Sequence, residues 1–297
     1  MPRRKRTYRY RVVDVFTDKP LEGNPLAVFP DASGIDDATM QRIARELNLS
    51  ETAFLLPSTR RGCVVRARIF TPARELPFAG HPTVGSSFVA LDEGLIPSGR
   101  TEFSLDEKVG PVAIRVERGN RPLIWLTTPP ITFGRTHDPG LCAKAVGLGT
   151  ADLLSPLPQT VSAGNPFIFF AVKGKPAVDR AEADSAALAA LGKGVEDPHV
   201  GVFFFAPTPE GAYSRMFAPE AGVSEDPATG SATGPLAAYM LKHGLISGTA
   251  GTRFHSEQGT KMGRRSILHV HLRGEQGNDG IEVGGYVAPV IEARLIL

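Results

Sequence analysis

Alternating apolar and polar positions predict short β-strands along most of the chain. The segments are rich in β-branched and aromatic residues and are bounded by turn residues. The predicted strands are Tyr8–Phe16, Ala27–Phe29, Thr52–Leu56, Val64–Phe70, Val112–Glu117, Leu123–Thr127, Phe167–Val172, Gly201–Phe205, Tyr213–Phe217, Ile267–Leu272, Ile281–Val283 and Val290–Ile296.

Helical periodicity is found between these runs of strands. It is clearest over Asp37–Leu47, where Met40, Ile43 and Leu47 fall on one face. Helices inserted singly among strands favour an α+β or curved-sheet architecture over a doubly wound parallel sheet. The other predicted helices are Val84–Leu91, Leu141–Val146, Asp184–Leu191 and Thr233–His243.

Three short motifs recur in the same order, about half a chain apart. GNP begins at Gly23 and Gly164, and R-x-F-x-P begins at Arg68 and Arg215. The third pair is GHPTVGSS and EDPATGSATG, which match at Pro, Gly and Ser when His81 is set on Asp226. Such repetition predicts two tandem copies of one α+β unit. We place them at residues 1–131 and 132–297, with the last strand free to cross back to the first half.

Composition and charge exclude several classes of partner. Among 297 residues, 33 Lys and Arg nearly balance 31 Asp and Glu, which gives no reason to expect nucleic acid or an anionic membrane as partner. No apolar run approaches membrane-spanning length, and the basic opening MPRRKRTYRYR leads into a strand rather than a signal peptide. Cys63 and Cys142 form neither a disulfide framework nor a zinc signature. We therefore expect a cytoplasmic protein.

Each Gly-Ser loop leads into a predicted helix, where backbone N–H groups and the helix dipole favour an anion. Gly80, Gly230 and Ser231 are thus candidates for binding the carboxylate of a small substrate. The alternative is that Gly and Ser only cap two helices. Because the loop is duplicated, we favour a site between the two halves, where ligands often bind.

Three titratable residues are candidates for proton transfer. Histidine titrates near neutrality and burial can tune an aspartate, so His81 and Asp226 could give and take a proton. The alternatives are a hydrogen-bonded turn histidine and a helix-preceding cap. Glu51 begins an apolar strand just past a helix, where burial would raise its pKa. By composition alone, however, a solvated loop glutamate is the better interpretation of Glu51.

The remaining motifs do not predict a metal site, a nucleotide site or a catalytic nucleophile. His269 and His271 share a strand face that His255 could join as a metal site, but no carboxylate pattern is nearby and an exposed strand face is the better interpretation. GSATG lacks the P-loop lysine, and neither G-x-G-x-x-G after a strand nor G-x-S-x-G is present. We expect no metal and no cofactor.

Four segments, GNPLAVF, NLSETAFL, RIFTPARELPFAGHPTVGSS and EDPATGSATGPLAAY, together resemble the PhzF-like family, named for phenazine biosynthesis. The resemblance covers essentially the whole chain. It implies the diaminopimelate epimerase-like fold, in which two pseudo-symmetric domains each form a curved sheet or open barrel around a central helix, and it implies a homodimer. It also implies that Glu51 is the catalytic acid and base, with His81, Asp226 and Ser231 in the same site.

The combined expectation is a cofactor-independent isomerase that moves a proton and a double bond on a small carboxylate substrate. The alternatives are an epimerase or dehydratase of a small amino or hydroxy acid, and a non-catalytic binding protein. The resemblance implies that epimerases of this superfamily use one cysteine from each loop, and neither loop here contains one. Racemisation by two cysteines is therefore disfavoured.

Overall fold

The computed structural model describes residues 6–192, 200–274 and 280–297. The chain divides into two compact units. The first unit is Met1–Thr127 together with Gly284–Leu297, and the second unit is Thr128–Val283. No helix among the described residues is long and apolar enough to cross a bilayer.

Among its described residues the first unit contains two helices, every strand predicted there, and two further strands, Glu75–Leu76 and Glu102–Glu107. Its helices are α1 (Asp37–Leu47) and α2 (Gly80–Asp92). Its strands are β1 (Thr7–Val15), β2 (Asn24–Phe29), β3 (Glu51–Pro57), β4 (Cys63–Phe70), β5 (Glu75–Leu76), β6 (Glu102–Glu107), β7 (Gly110–Glu117), β8 (Leu123–Thr127) and, at the end of the chain, β17 (Val287–Ile296).

The second unit contains further helices between its strands. Its helices are α3 (Pro139–Ala145), α4 (Lys175–Arg180), α5 (Ser185–Gly192) and α6 (Gly230–Lys242). Its strands are β9 (Thr132–Thr136), β10 (Gln159–Ser162), β11 (Pro166–Ala171), β12 (Gly201–Thr208), β13 (Gly211–Phe217), β14 (Arg253–Gln258), β15 (Ser266–Leu272) and β16 (Ile281–Gly285), of which the last two residues belong to the first unit.

The two units repeat one order of strand pairing. In the first unit β17, β1, β2, β3, β4, β6 and β7 are neighbours in that order. Their pairings are antiparallel, antiparallel, parallel, antiparallel, parallel and antiparallel. The second unit has the same series through β9, β10, β11, β12, β13, β14 and β15. The duplicated α+β fold predicted from short motifs is confirmed.

Each unit surrounds one buried helix with its strands. In the first unit α2 packs against β1, β2, β3, β4, β8 and β17, and in the second α6 packs against β10, β11 and β15. A Cβ atom at Gly85 of α2 would lie 2.6 Å from Leu26 Cδ2, so glycine is what lets this helix approach the sheet. Gly234 serves α6 in the same way, because its Cβ would lie 2.4 Å from Thr128 Oγ1.

The two buried helices define the true register of the repeat. The hydroxyls of Thr83 and Thr233 donate to the carbonyls of Ala79 and Thr229, the residues that precede α2 and α6. Gly94 and Gly244, both with positive φ, follow the two helix ends. In this register Gly80 corresponds to Gly230.

The alignment of His81 with Asp226 is therefore wrong. His81 corresponds to Ser231, because each is the second residue of its helix, whereas Asp226 lies before the helix. The shared letters P-x-x-G-S misled the alignment because they lie inside α2 in one copy and mostly ahead of α6 in the other.

The repeated arginines form matching ion pairs. Arg68 lies 2.8 Å from Glu75 and stacks over Phe70, with 5.1 Å from its guanidinium carbon to the ring centroid. Arg215 lies 2.7 Å from Glu225 and stacks over Phe217 at 4.8 Å. The R-x-F-x-P motif is thus a structural part of both units.

Candidate active site

Glu51 is the first residue of β3, a largely buried strand that begins shortly after the end of α1. Helix α1 ends at Leu47, and Asn48 adopts a left-handed φ of 50° that turns the chain toward β3. Glu51 lies beside Leu26 in the parallel β2–β3 pair, and its side chain is 16 % exposed. The carboxyl group is therefore at the rim of the core, neither fully solvated nor fully enclosed.

His81 lies against this carboxyl group. Its Nε2 is 3.4 Å from Glu51 Oε2, and the residue is buried in the first turn of α2. Burial lowers the pKa of His81 to about 3. The expectation that His81 titrates near neutrality is therefore wrong, because the fold removes the ring from water. At neutral pH the contact joins a neutral imidazole to a carboxyl group and is not an ion pair.

The helices that follow the two Gly-Ser loops begin without side-chain caps. The residues before them, Ala79 and Thr229, make no capping hydrogen bond. By contrast, Asp36 and Asp138 cap α1 and α3 through their carboxylates. The alternative that Gly and Ser merely cap the two helices is not what the fold shows.

Asp226 is tied to its own loop in the second unit. Thr229 Oγ1 donates to Asp226 Oδ2 over 2.6 Å, and the Asp226 backbone N–H donates to the carbonyl of Met216 over 3.1 Å. Asp226 is buried, as is Gly230 at the start of α6, and Ser231 is partly exposed.

Gln258 fixes this loop and was not found from the sequence. Its Nε2 donates to the carbonyl of Asp226 over 2.7 Å and to Thr229 Oγ1 over 2.9 Å, and its Oε1 accepts from the Thr229 N–H over 3.1 Å. Gln258 is fully buried at the end of β14, a strand that the hydrophobic pattern did not reveal. The only sequence signal is a polar residue at an inward-facing position.

The candidate residues thus form two groups. Glu51, His81 and Gly80 lie together in the first unit, and Asp226, Gly230 and Ser231 lie together in the second. That both groups hold a single substrate stays a prediction.

Three of the other histidines lie on the paired strands β14 and β15. His255 is opposite His269 in the β14–β15 pair, with ring centroids 6.4 Å apart, and His271 Nδ1 lies 3.1 Å from Glu282 Oε2. Across the part of the chain that is described, no three His, Cys, Asp or Glu side chains are grouped as a metal would require.

A family model described as phenazine biosynthesis-like protein (PhzC-PhzF) matches residues 13–293. The chain belongs to this family. It is 34 % identical to trans-2,3-dihydro-3-hydroxyanthranilate isomerase of Pseudomonas aeruginosa over 98 % of this chain and all of that protein. The resemblance found in the sequence is confirmed, and this member of the phenazine biosynthesis-like family is an isomerase.

Solved structures agree with the fold. A PhzF-family protein of Bacillus anthracis superposes with a TM-score of 0.88 at 25 % identity, over 98 % of this chain and 100 % of that one. A hydroxyproline epimerase of Agrobacterium vitis gives a TM-score of 0.67 at 13 % identity, over 98 % and 93 % of the two chains. This second likeness shows that the phenazine biosynthesis-like fold is shared with an epimerase.

In this PhzF-family isomerase the first-unit group has the parts that proton transfer requires. A carboxyl group can accept and return a proton, a buried neutral imidazole can orient it, and the uncapped start of α2 can hold negative charge. These parts come from β3 and α2, which pack together in the core of one unit.

Proposed function

We propose that this isomerase moves a proton, and with it a double bond, on a small substrate that bears a carboxylate, with Glu51 as both base and acid and without a cofactor. The observation that carries the proposal is the 3.4 Å contact between Glu51 Oε2 and the Nε2 of buried His81. It places a partly exposed carboxyl group beside a buried imidazole at the edge of the core.

The reaction balances without any other reactant. The Glu51 carboxylate removes a proton from one carbon of the substrate, and the C–H electron pair shifts the double bond along the carbon skeleton. The same proton, now on Glu51, is added to the carbon at the far end of the original double bond, whose electron pair forms the new C–H bond. The product has the composition of the substrate, so nothing is oxidised or reduced.

Neutral His81 suits Glu51 as a base. A cationic imidazole at this distance would favour the carboxylate form and weaken its ability to take a proton from carbon. Burial keeps the ring uncharged, since the pKa of His81 is lowered to about 3. His81 then orients Glu51 by a dipolar contact and does not itself supply the proton.

The uncapped helix starts support a carboxylate-bearing substrate. Gly80 opens α2, and Gly230 and Ser231 open α6, with no side-chain cap at either helix. Backbone N–H groups at such positions stabilise both a bound carboxylate and the enolate-like charge formed when the proton leaves. Asp226 would assist in orienting the substrate.

The first compound to test is trans-2,3-dihydro-3-hydroxyanthranilate, the compound in the name of the Pseudomonas aeruginosa relative. The protein and its E51Q variant are incubated with it, and with other unsaturated cyclic acids, in deuterated water. NMR then follows double-bond movement and deuterium at each carbon. E51Q should lose activity by a factor on the order of 10² to 10⁴, typical for removal of a general acid or base.

The matched control is E46Q, because Glu46 is an exposed residue of α1. It should keep full activity. E51Q that turns over as fast as the wild type would remove Glu51 from the mechanism. Deuterium exchange at a single carbon without movement of a double bond would indicate an epimerase, and tight binding without any exchange would indicate a binding protein.

A further inference from the structure

Glu107 is a buried carboxyl group that the proposed chemistry does not use. It is the last residue of β6 and is 2 % exposed. Its Oε1 lies 2.6 Å from the hydroxyl oxygen of Thr83, in the first turns of α2. Among the described residues, its buried Oε2 has no hydrogen-bond partner.

The surroundings of Glu107 do not balance a negative charge. Arg60 is 2.7 Å from Asp106 and Lys108 is 3.6 Å from Glu75, so these two cations are paired with other carboxylates, and the third nearby cation, Arg66, is exposed on β4. No ion pair joins Glu107 to another residue in the described ranges. The charged side chains that line the cavity beside Glu107 are Arg60, Arg66, Asp106 and Lys108, while Glu75 pairs with Lys108 and His81 lies on the same helix as Thr83.

The two contacts of the Thr83 hydroxyl can both be hydrogen bonds only if Glu107 carries a proton. The Thr83 hydroxyl lies 2.7 Å from the carbonyl of Ala79 and 2.6 Å from Glu107. A hydroxyl has one proton, and the carbonyl can only accept. If the Thr83 proton serves Ala79, the proton in the second contact must come from Glu107. Burial agrees with this, because it raises the pKa of Glu107 to about 8.

The second unit has an uncharged residue at the position that corresponds to Glu107. In the strand register, Arg66 of β4 lies opposite Asp106 of β6, and Tyr213 of β13 lies opposite Glu257 of β14. In this register the residue that corresponds to Glu107 is Gln258, and each is the last residue of its strand. Gln258 cannot ionise, and it holds the start of α6 through the loop that precedes it.

We propose that Glu107 is a positioning residue that acts as a neutral carboxylic acid, holding the first turn of α2, and so His81 against Glu51, through its hydrogen bond to Thr83. When Glu107 ionises, the Thr83 hydroxyl must turn to the carboxylate and leave Ala79. The first turn of α2, which contains His81, then loses this side-chain bond and keeps the backbone bond from the Thr83 N–H to the Ala79 carbonyl over 3.1 Å. The effect on turnover rests on the proposed function, whereas the protonation of Glu107 does not.

Infrared difference spectroscopy tests the protonation without a substrate. The wild type in deuterated buffer should show the carbonyl stretch of a protonated carboxylic acid at pH 6, lost with a midpoint near pH 8. E107Q should lack this band, and E46Q, which changes an exposed glutamate, should keep it. A wild-type spectrum without a band that E107Q removes would overturn the proposal.

Turnover tests the positioning role. Wild-type kcat should fall roughly tenfold from pH 7 to pH 9, as Glu107 ionises with a pKa of about 8. E107Q should match the wild type at pH 7 and keep its rate at pH 9, because its side-chain amide cannot ionise, like that of Gln258 in the second unit. An unchanged alkaline loss in E107Q would show that Glu107 does not position the site. Full activity of E51Q would refute the proposed function, but it would not affect the infrared evidence for a protonated Glu107.

Discussion

At the scale of single residues, His81 shows how burial changes the chemistry of a side chain. A histidine in a Gly-Pro loop is expected from sequence to titrate near neutrality, and this one does not because it lies inside the unit. The sequence identifies the residue but not its protonation state, which depends on how completely α2 is surrounded by strands. For Glu51 the sequence shows the apolar strand that follows it, but the interpretation as a solvated loop glutamate is wrong, because the residue begins β3 and is 16 % exposed.

The lowered pKa of His81 predicts a pH dependence of stability. Between pH 6.5 and about 3 the unfolded chain binds a proton at residue 81 that the folded chain does not bind. The free energy of unfolding therefore falls as pH is lowered through this window, by at most about 1.4 kcal/mol per pH unit from this group. The H81N variant lacks this contribution.

Urea unfolding at pH 7 and pH 5 measures the effect. The wild type should lose more stability than H81N on going to pH 5. Equal losses in the two proteins would mean that His81 is protonated in the folded state near its usual pKa.

At the scale of elements, two of the strands that the sequence did not reveal place polar groups inward. Helix α1 was predicted with its observed bounds, because its apolar face and its capping Asp36 agree. Strands β6 and β14 were missed. Their sequences, EFSLDE and RFHSEQ, put Glu107, Ser256 and Gln258 at buried positions, which breaks the apolar alternation that marks a strand. Gln258, which holds the loop before α6, was hidden for the same reason.

The matching arginines of β4 and β13 should contribute unequally to stability. Arg215 pairs with Glu225 and also donates to the carbonyls of Val178 and Ala181, over 3.0 and 2.7 Å. Removing it takes the donor from the Glu225 carboxylate and the Ala181 carbonyl, whereas the Val178 carbonyl still accepts the Ala181 N–H over 3.3 Å. The R215M variant should lose about 3–5 kcal/mol in the free energy of unfolding, as expected for one partner of a buried pair.

The equivalent variant R68M is the matched control. One of the two carboxylates on Arg68, that of Asp37, is largely exposed, so water can replace the arginine there. Chemical denaturation of both variants should show a clearly smaller loss for R68M. Losses of the same size would mean that the two motifs are energetically as well as geometrically equivalent.

At the scale of the whole molecule, the chain repeats a fold without repeating its chemistry. Leu26 pairs with Glu51 in the first unit, and Phe167 pairs with Gly201 in the second, each directly after a GNP motif. The counterpart of the proposed acid and base is therefore a glycine. The sequence predicts the duplication from its motifs, but this asymmetry is visible only once the strand register is known.

The last strand of the chain completes the first unit, which gives a final prediction. Strand β17 pairs with β1 from Thr7–Ile296 to Val15–Val287, so the two ends of the chain meet in one sheet. A chain that lacks residues 289–297 leaves most of β1 as an open edge, with its backbone N–H and C=O groups unpaired. Hydrogen exchange should show loss of protection in β1 and β2, whereas β11, β12 and β13, which share no pairing with β17, should stay protected. A chain that lacks only Leu297 should behave as the intact protein. Unchanged protection of β1 in the shorter chain would mean that β17 only covers a sheet that is already stable without it.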